Sequence, residues 1–230
     1  MLASLADLGV FQEERMMMMR ERASGAYGSV AYFTSKIFAE ILILRWVPLC
    51  ITSFVLTFIV DLNQEPQAIF SLNLLLLCIS MVATLQFLTI GMIFTKSGVA
   101  NYLAVLLTMF SLLMSGFLLQ FEGTGGGLGA NNEPAPKSSG FEWMQSLSVL
   151  HFGFEALMVN EMHGENFQII VKNPDGKEIT RVSTTGDLIL TQLGFSYDNF
   201  ERDIGVVILY LVIFSLLSLL LLEFIVVEKR

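Results

Sequence analysis

FQEERMMMMRERASGAYGSVAY, Phe11 to Tyr32, sets Glu13, Glu14, Arg15, Arg20, Glu21 and Arg22 around four consecutive methionines. No proline interrupts it before the first long apolar segment. Taken alone, such a stretch fits an amphipathic helix lying on a membrane surface. It equally fits a charged helix that receives a mechanical signal at the membrane face and passes it into spans behind it. The rest of the chain decides between the two.

Of the 230 residues, 54% are hydrophobic and only 15% are charged. Mean hydropathy is +0.66. An ordinary soluble domain carries about 25% charged residues, so this is an integral membrane protein. The net charge of -8 is unevenly spread, with 12 acidic against 5 basic residues between Glu122 and Asp203. That acidic excess excludes nucleic acid as a partner. Cys50 and Cys78 lie in separate apolar runs and read as packing residues, neither disulfide nor metal ligands. The start, MLASLADLGV, has neither the basic region nor the apolar core of a signal peptide.

Working outward from the opening stretch, four segments have about the 20 apolar residues that cross a bilayer. They run from Val30 to Val60, Ile69 to Phe94, Ala100 to Phe121 and Ile204 to Val227. Pro48 predicts a kink in the first. Arg15, Arg20, Arg22 and Lys36 precede span one, Lys96 separates spans two and three, and Lys229 and Arg230 follow span four. The loop Asp61 to Gln67 has no Lys or Arg, so the positive-inside rule predicts both termini in the cytoplasm. The membrane itself, plasma or internal, is not specified.

The excursion from Glu122 to Asp203 is then external. Gly123 to Gly140 is a Gly/Pro/Ser linker without the GxxxxGK[ST] order of a phosphate cradle. Phe141 to Val159 is apolar but short and carries charges, which predicts a re-entrant helix pair. Gln168 to Val182 predicts a hairpin turning at Asn173-Pro174-Asp175-Gly176. Thr185 or Asp187 is expected to cap a short helix that Gly194 ends. The expected fold class is therefore all-α integral membrane, about four spans and a re-entrant pair, with a small external α/β cap.

No catalytic constellation emerges. His151 and His163 have no cysteine near them, and interfacial hydrogen bonding is the expectation for both over a metal site. The intramembrane charges say more. Lys36 and Glu40 are four apart on one helix face, a spacing that allows them to pair, with snorkelling at the cytoplasmic edge as the plainer alternative for Lys36. Arg45 lies deeper, where an ionisable group faces a bundle interior. Without a chain of such groups, a channel or proton-driven carrier finds little support.

Three blocks together resemble the G subfamily of ABC half-transporters, the White pigment-transporter and breast-cancer-resistance-protein type. The first is Phe11-x-x-Glu14-Arg15, Arg20-Glu21-x-x-Ser24-Gly25-x-Tyr27 and Ala31-Tyr32-Phe33-x-x-Lys36, similar to the coupling-helix region. The second is Ser115-Gly116-Phe117-Leu118 near the outer end of span three. The third is Phe152-Gly153-Phe154-Glu155-Ala156-Leu157-x-x-Asn160-Glu161-x-x-Gly164-x-Asn166-Phe167, with Met162 where the family usually has Phe.

The resemblance implies the ABC-2 type membrane domain of an ATP-driven exporter for hydrophobic or amphipathic substrates such as lipids, sterols or xenobiotics. It implies a nucleotide-binding domain in cis or trans and a homo- or heterodimer with another half-transporter. No Walker A or LSGGQ-like motif is present, so ATP and Mg would belong to that other domain, and this chain would need no cofactor. The chain is expected to be a truncated part: the end of a preceding span and the coupling helix (1–28), three spans (29–121), the external region (122–203) and the last span with the C-terminus (204–230). Carried over by match, Glu13, Glu14, Arg15, Arg20 and Glu21 form the coupling helix. Glu14 and Arg45 form a polar relay, Phe117 and Leu118 a plug, and Met109 and Leu112 line the cavity, with packing as the plainer reading of the last two. The competing expectation is a non-transporting fragment that binds or regulates partner spans.

Overall fold

The structure, a computed structural model, describes residues 2–60, 65–116, 142–172 and 178–224. The opening stretch is not one rod. Helix α1 runs without a break from Leu2 to Ala23, joining the expected span tail to the coupling segment. The chain then turns through Ser24–Gly28, where Gly25 adopts φ +80, a left-handed conformation that costs glycine little. Helix α2 (Ser29–Lys36) restarts the chain, followed by a π-helical segment (Ile37–Ile43) and α3 (Leu44–Val60). Although no proline stands between Phe11 and span one, the Ser-Gly pair ends one helix before the span begins.

Pro48 lies inside α3 as predicted, and the π-helical segment ends directly before that helix begins. Proline removes one helical donor, and a widened turn is a common way for a helix to absorb such a defect. Helix α4 (Pro66–Ile93) opens on Pro66, whose missing N–H is no loss in a first turn. Helix α5 spans Ser97–Leu113. The third apolar run therefore leaves helical geometry at Met114, where a turn leads to Gly116, well before the expected end at Phe121.

The expected helix pair is present as α6 (Glu142–Gln145) and α7 (Val149–Met162). The hairpin is present as antiparallel β1 (Asn166–Lys172) and β2 (Glu178–Thr185), while its Asn173–Gly176 turn lies outside the described residues. Helix α8 (Gly186–Leu193) ends at Gly194 with φ +79, as predicted. Thr185 holds its N-cap position without a side-chain bond, and Asp187 bonds His163 instead, so neither caps as expected. A 3-10 turn (Tyr197–Asn199) leads into α9 (Phe200–Phe224).

Among the described residues, three helical stretches are long and apolar enough to cross a membrane: Ser29–Ile59, Pro66–Ile93 and Tyr197–Phe224. Ser97–Leu113 is a shorter apolar helix. Helix α4 is the axis of the assembly. Half of its most apolar window is buried, against 12% and 11% for the other two stretches, and it packs on α1, α3, α5, α7 and α9. Gly91 allows α1 its close approach, since a Cβ there would meet Leu8 Cδ1 at 2.6 Å. At one end, Phe11, Met18, Phe33, Leu85, Leu88, Met92 and Leu222 form one core joining α1, α2, α4 and α9.

Candidate functional site

Two arginines of α1 are spent on the ends of other helices. The last carbonyls of a helix lack intrahelical donors and carry partial negative charge, so a cationic side chain is favoured there. Arg15, 9% exposed, donates from Nη1 to the Gly91 carbonyl at 3.1 Å near the end of α4. Gln12 Nε2 reaches the Phe94 carbonyl at 3.5 Å just beyond it. Arg22 donates from Nη1 to the Leu222 carbonyl at 2.6 Å and pairs with Glu223 at 3.3 Å, at the end of α9. One helix thus clamps the same-side termini of two spans.

Lys36 adds a third attachment. Its Nζ donates to Glu14 Oε2 at 2.5 Å and lies 6.0 Å from the Phe11 ring centroid and 5.9 Å from that of Tyr32. The lysine side chain is buried while Glu14 is partly exposed. Lys36 therefore bonds back to α1, and its aliphatic stem and charge are both used within the protein. Glu21 accepts a hydrogen bond of 2.7 Å from Tyr27 Oη across the Ser24–Gly28 turn. Burial, and then that hydrogen bond, push the Tyr27 phenol up to about 12. Glu13 and Arg20 are exposed beside them, as are Met16 and Met17, whereas Met18 is buried.

Deeper between the helices sits a second polar site. Arg45 of α3 pairs with Asp7 of α1 and donates to Ser4 Oγ at 2.7 Å and Ser80 Oγ at 2.8 Å. Thr84 of α4 completes it, at 3.2 Å from Ser4 Oγ and 3.4 Å from Asp7 Oδ2. Pairing of this kind is what makes an ionisable group at depth tolerable. Glu14 and Arg45 are accordingly held apart on different partners, Lys36 and Asp7. The two residues expected in one polar relay thus sit in two separate pairs, both anchored on α1.

Met109 and Leu112 are exposed on the face of α5 opposite the buried Ala100, Ala104, Thr108 and Ser111. They face away from the described chain, onto a surface shared with Tyr102, Val105 and Leu106. Phe117 and Leu118 lie outside the described residues, but their neighbour Ser115 offers its carbonyl to His151 Nδ1 at 3.4 Å. His163 stacks on Tyr197 at 4.0 Å. Among the described residues, no group of three or more His, Cys, Asp or Glu side chains is placed to hold a metal.

Sequence reasoning missed Arg22 as a site residue, and missed Asp7 altogether. The signal for Arg22 was its place in the same basic cluster. Asp7 carried a weak one, an acid in an otherwise apolar segment seven residues from the start of the chain.

Residues 1–129 match the family model described as ABC-2 type transporter, and the chain belongs to that family. Several of its relatives are named as G-family members. It is 29% identical over 223 residues to a probable ATP-dependent permease of Saccharomyces cerevisiae, covering 97% of this chain and 20% of the relative. It is 28% identical over 227 residues to ABC transporter G family member 24 of Dictyostelium discoideum, covering 99% and 18%. To the broad substrate specificity ATP-binding cassette transporter ABCG2 of Mus musculus it is 27% identical over 165 residues, covering 72% and 23%. The chain thus spans about a fifth of the length of these relatives.

Proposed function

We propose that this chain is the membrane-crossing part of an ATP-driven G-type exporter, and that α1 is the element that receives the stroke of a nucleotide-binding domain. The observation that carries the reading is the double clamp: Arg15 on the end of α4 and Arg22 on the end of α9. A push on the exposed face of α1, which presents Glu13, Met16, Met17 and Arg20, moves two spans together through bonds already in place. Lys36 on Glu14 carries the same displacement into α2 and the first span.

The reading places both termini in the cytoplasm, in keeping with the basic residues around α1 and after α9. It pairs the chain with a second half-transporter across the exposed apolar face of α5. Apolar or amphipathic substrates such as lipids, sterols or xenobiotics suit a cavity that Met109 and Leu112 line. ATP and Mg act on the nucleotide-binding partner.

The test uses the natural protein, assembled with its ATPase partner in proteoliposomes. Replacing Arg15 and Arg22 together by Ala is expected to leave ATP hydrolysis running while transport falls at least tenfold. Transport at the wild-type ratio to hydrolysis would overturn the coupling role of α1.

A further inference from the structure

The turn that ends α8 builds a site for which the coupling reading has no use. Gly194, in its left-handed conformation, brings the chain back on itself, and the Phe195 N–H bonds the Leu190 carbonyl at 2.9 Å. Leu190 and Phe195 are buried with Val159 of α7 in one small core. Phe154 meets the Phe195 ring nearly edge-on, at 5.8 Å and 73°. Just past the turn, Tyr197 stacks on His163 at 4.0 Å and 17°, and lies parallel to Phe200 at 6.4 Å and 5°. His163 Nδ1 stands 2.9 Å from Asp187 Oδ1, in the first turn of α8.

His163, Asp187, Leu190, Phe195 and Tyr197 line an open cavity of about 410 Å³, a size usual for small-molecule sites. A second cavity of about 360 Å³ shares His163 and Tyr197 and adds Glu65 as a second acid. The chemistry of the lining selects the occupant. Leu190 and Phe195 give an apolar floor, and Tyr197 leaves ring surface exposed. As a neutral imidazole, His163 donates to Asp187 and orients the carboxylate without cancelling its charge. Among the described residues, neither cavity has a lysine or arginine in its lining. The 12 acidic and 5 basic residues between Glu122 and Asp203 make a field that concentrates cations. An anion would meet Asp187 with no opposing charge, and a metal ion would find too few ligands among the described residues. A positive centre fits, held by a carboxylate and aromatic rings and attached to an apolar body.

We propose that the cavity formed by α7, α8 and the head of α9 binds organic cations, an alkylammonium group carrying an apolar or aromatic body. Asp187 supplies the counter-charge, and Tyr197 and Phe195 supply the rings. The site shares no residue with the α1 clamp or with the Met109 and Leu112 face of α5. It goes beyond the coupling reading and depends on neither transport nor the ATPase.

The test uses the natural protein in lipid nanodiscs, without nucleotide, at about pH 8, where an ordinary imidazole is neutral. The probe is radiolabelled benzyltrimethylammonium. Saturable binding is expected, with neopentylbenzene, its uncharged carbon isostere, competing roughly tenfold more weakly. Asp187→Asn keeps the shape of the side chain and removes its charge, and should weaken binding about fivefold, since the carboxylate is half open to water. Tyr197→Ala should weaken it by a similar factor, whereas Tyr197→Phe keeps the ring and should stay within about twofold of the wild type. Tyr197→Ala also decides the matter if Asp187→Asn fails to fold. A wild-type protein without saturable binding, an isostere that competes as well as the cation, or unchanged affinity in either folded variant would overturn the site.

Discussion

Both ends of this bundle are closely packed, Leu8 against Gly91 and Ile79 against Gly153, and they differ in the cationic bonds that the α1 end adds to its packing. At the α1 end, long cationic side chains reach across to backbone carbonyls: Arg15 to Gly91, Arg22 to Leu222, with Lys36 on Glu14. At the α7 end, helices touch directly. A Cβ on Gly153 would meet Ile79 Cδ1 at 2.6 Å and Cγ1 at 2.8 Å, and the core there is Ile79, Val82, Val149 and Val207. A flexible arginine keeps its bond through small displacements of its partner, whereas close-packed aliphatic groups do not slide without cost. On the proposed function, the added cationic bonds carry movement at the first end, and the second end has packing to fix its position.

The sharpest way to break this contrast is to overfill the packed end. Gly153→Val should destabilise the protein by about 3 kcal/mol, because Ile79 is struck near its backbone and not only at a free tip. Thermal unfolding measures the loss, and the folded fraction should keep its ratio of transport to ATP hydrolysis. A variant that folded normally but uncoupled would reverse the assignment of the two ends.

Arg15→Ala should cost about 2 kcal/mol, the value of a buried charge-assisted bond to a carbonyl, and should uncouple. Arg15→Lys retains charge and recovers part of both. Glu14→Ala and Glu21→Ala should also uncouple hydrolysis from transport with assembly intact. The stability coupling of Glu14 with Lys36 in a double-mutant cycle should nonetheless stay below about 1 kcal/mol, since Glu14 is open to water. A larger coupling would mean that this pair fixes position as the packed end does.

The smallest stability effect belongs to the exposed face of α5. Met109→Ala and Leu112→Ala should each shift stability by no more than about 0.5 kcal/mol while changing apparent substrate affinity. Phe117→Ala with Leu118→Ala should raise basal ATP turnover or make the pathway leaky. Wild-type behaviour in all four would remove the cavity and plug assignments.

Much of the secondary structure was legible because its causes are local. Gly194 ending α8 and the alternation flanking Asn173–Gly176 act within a few residues of themselves, whereas Pro66, read as loop, opens α4. The break at Ser24–Gly28 was equally local, since a Ser-Gly pair stands there, but the polar run around it reads as continuous helix. The partners were not legible. Arg15 and Arg22 bond carbonyls 76 and 200 residues away, and backbone carbonyls have no signature in a sequence. Arg45 was recognised as costly at depth, yet choosing Asp7 over Glu14 requires knowing which face of α1 meets α3 and α4.

By itself the sequence determined that this is a membrane protein of the ABC-2 type, since apolar run lengths, basic flanks and the three motif blocks are properties of the chain alone. Only the tertiary structure decided that α1 clamps α4 and α9, that Glu14 and Arg45 serve different partners, and that Glu155 bonds Ser196 and Asn199. The physical reason is that a charge finds its partner through helix packing, and packing is set by small residues such as Gly91 and Gly153 whose neighbours are distant in sequence.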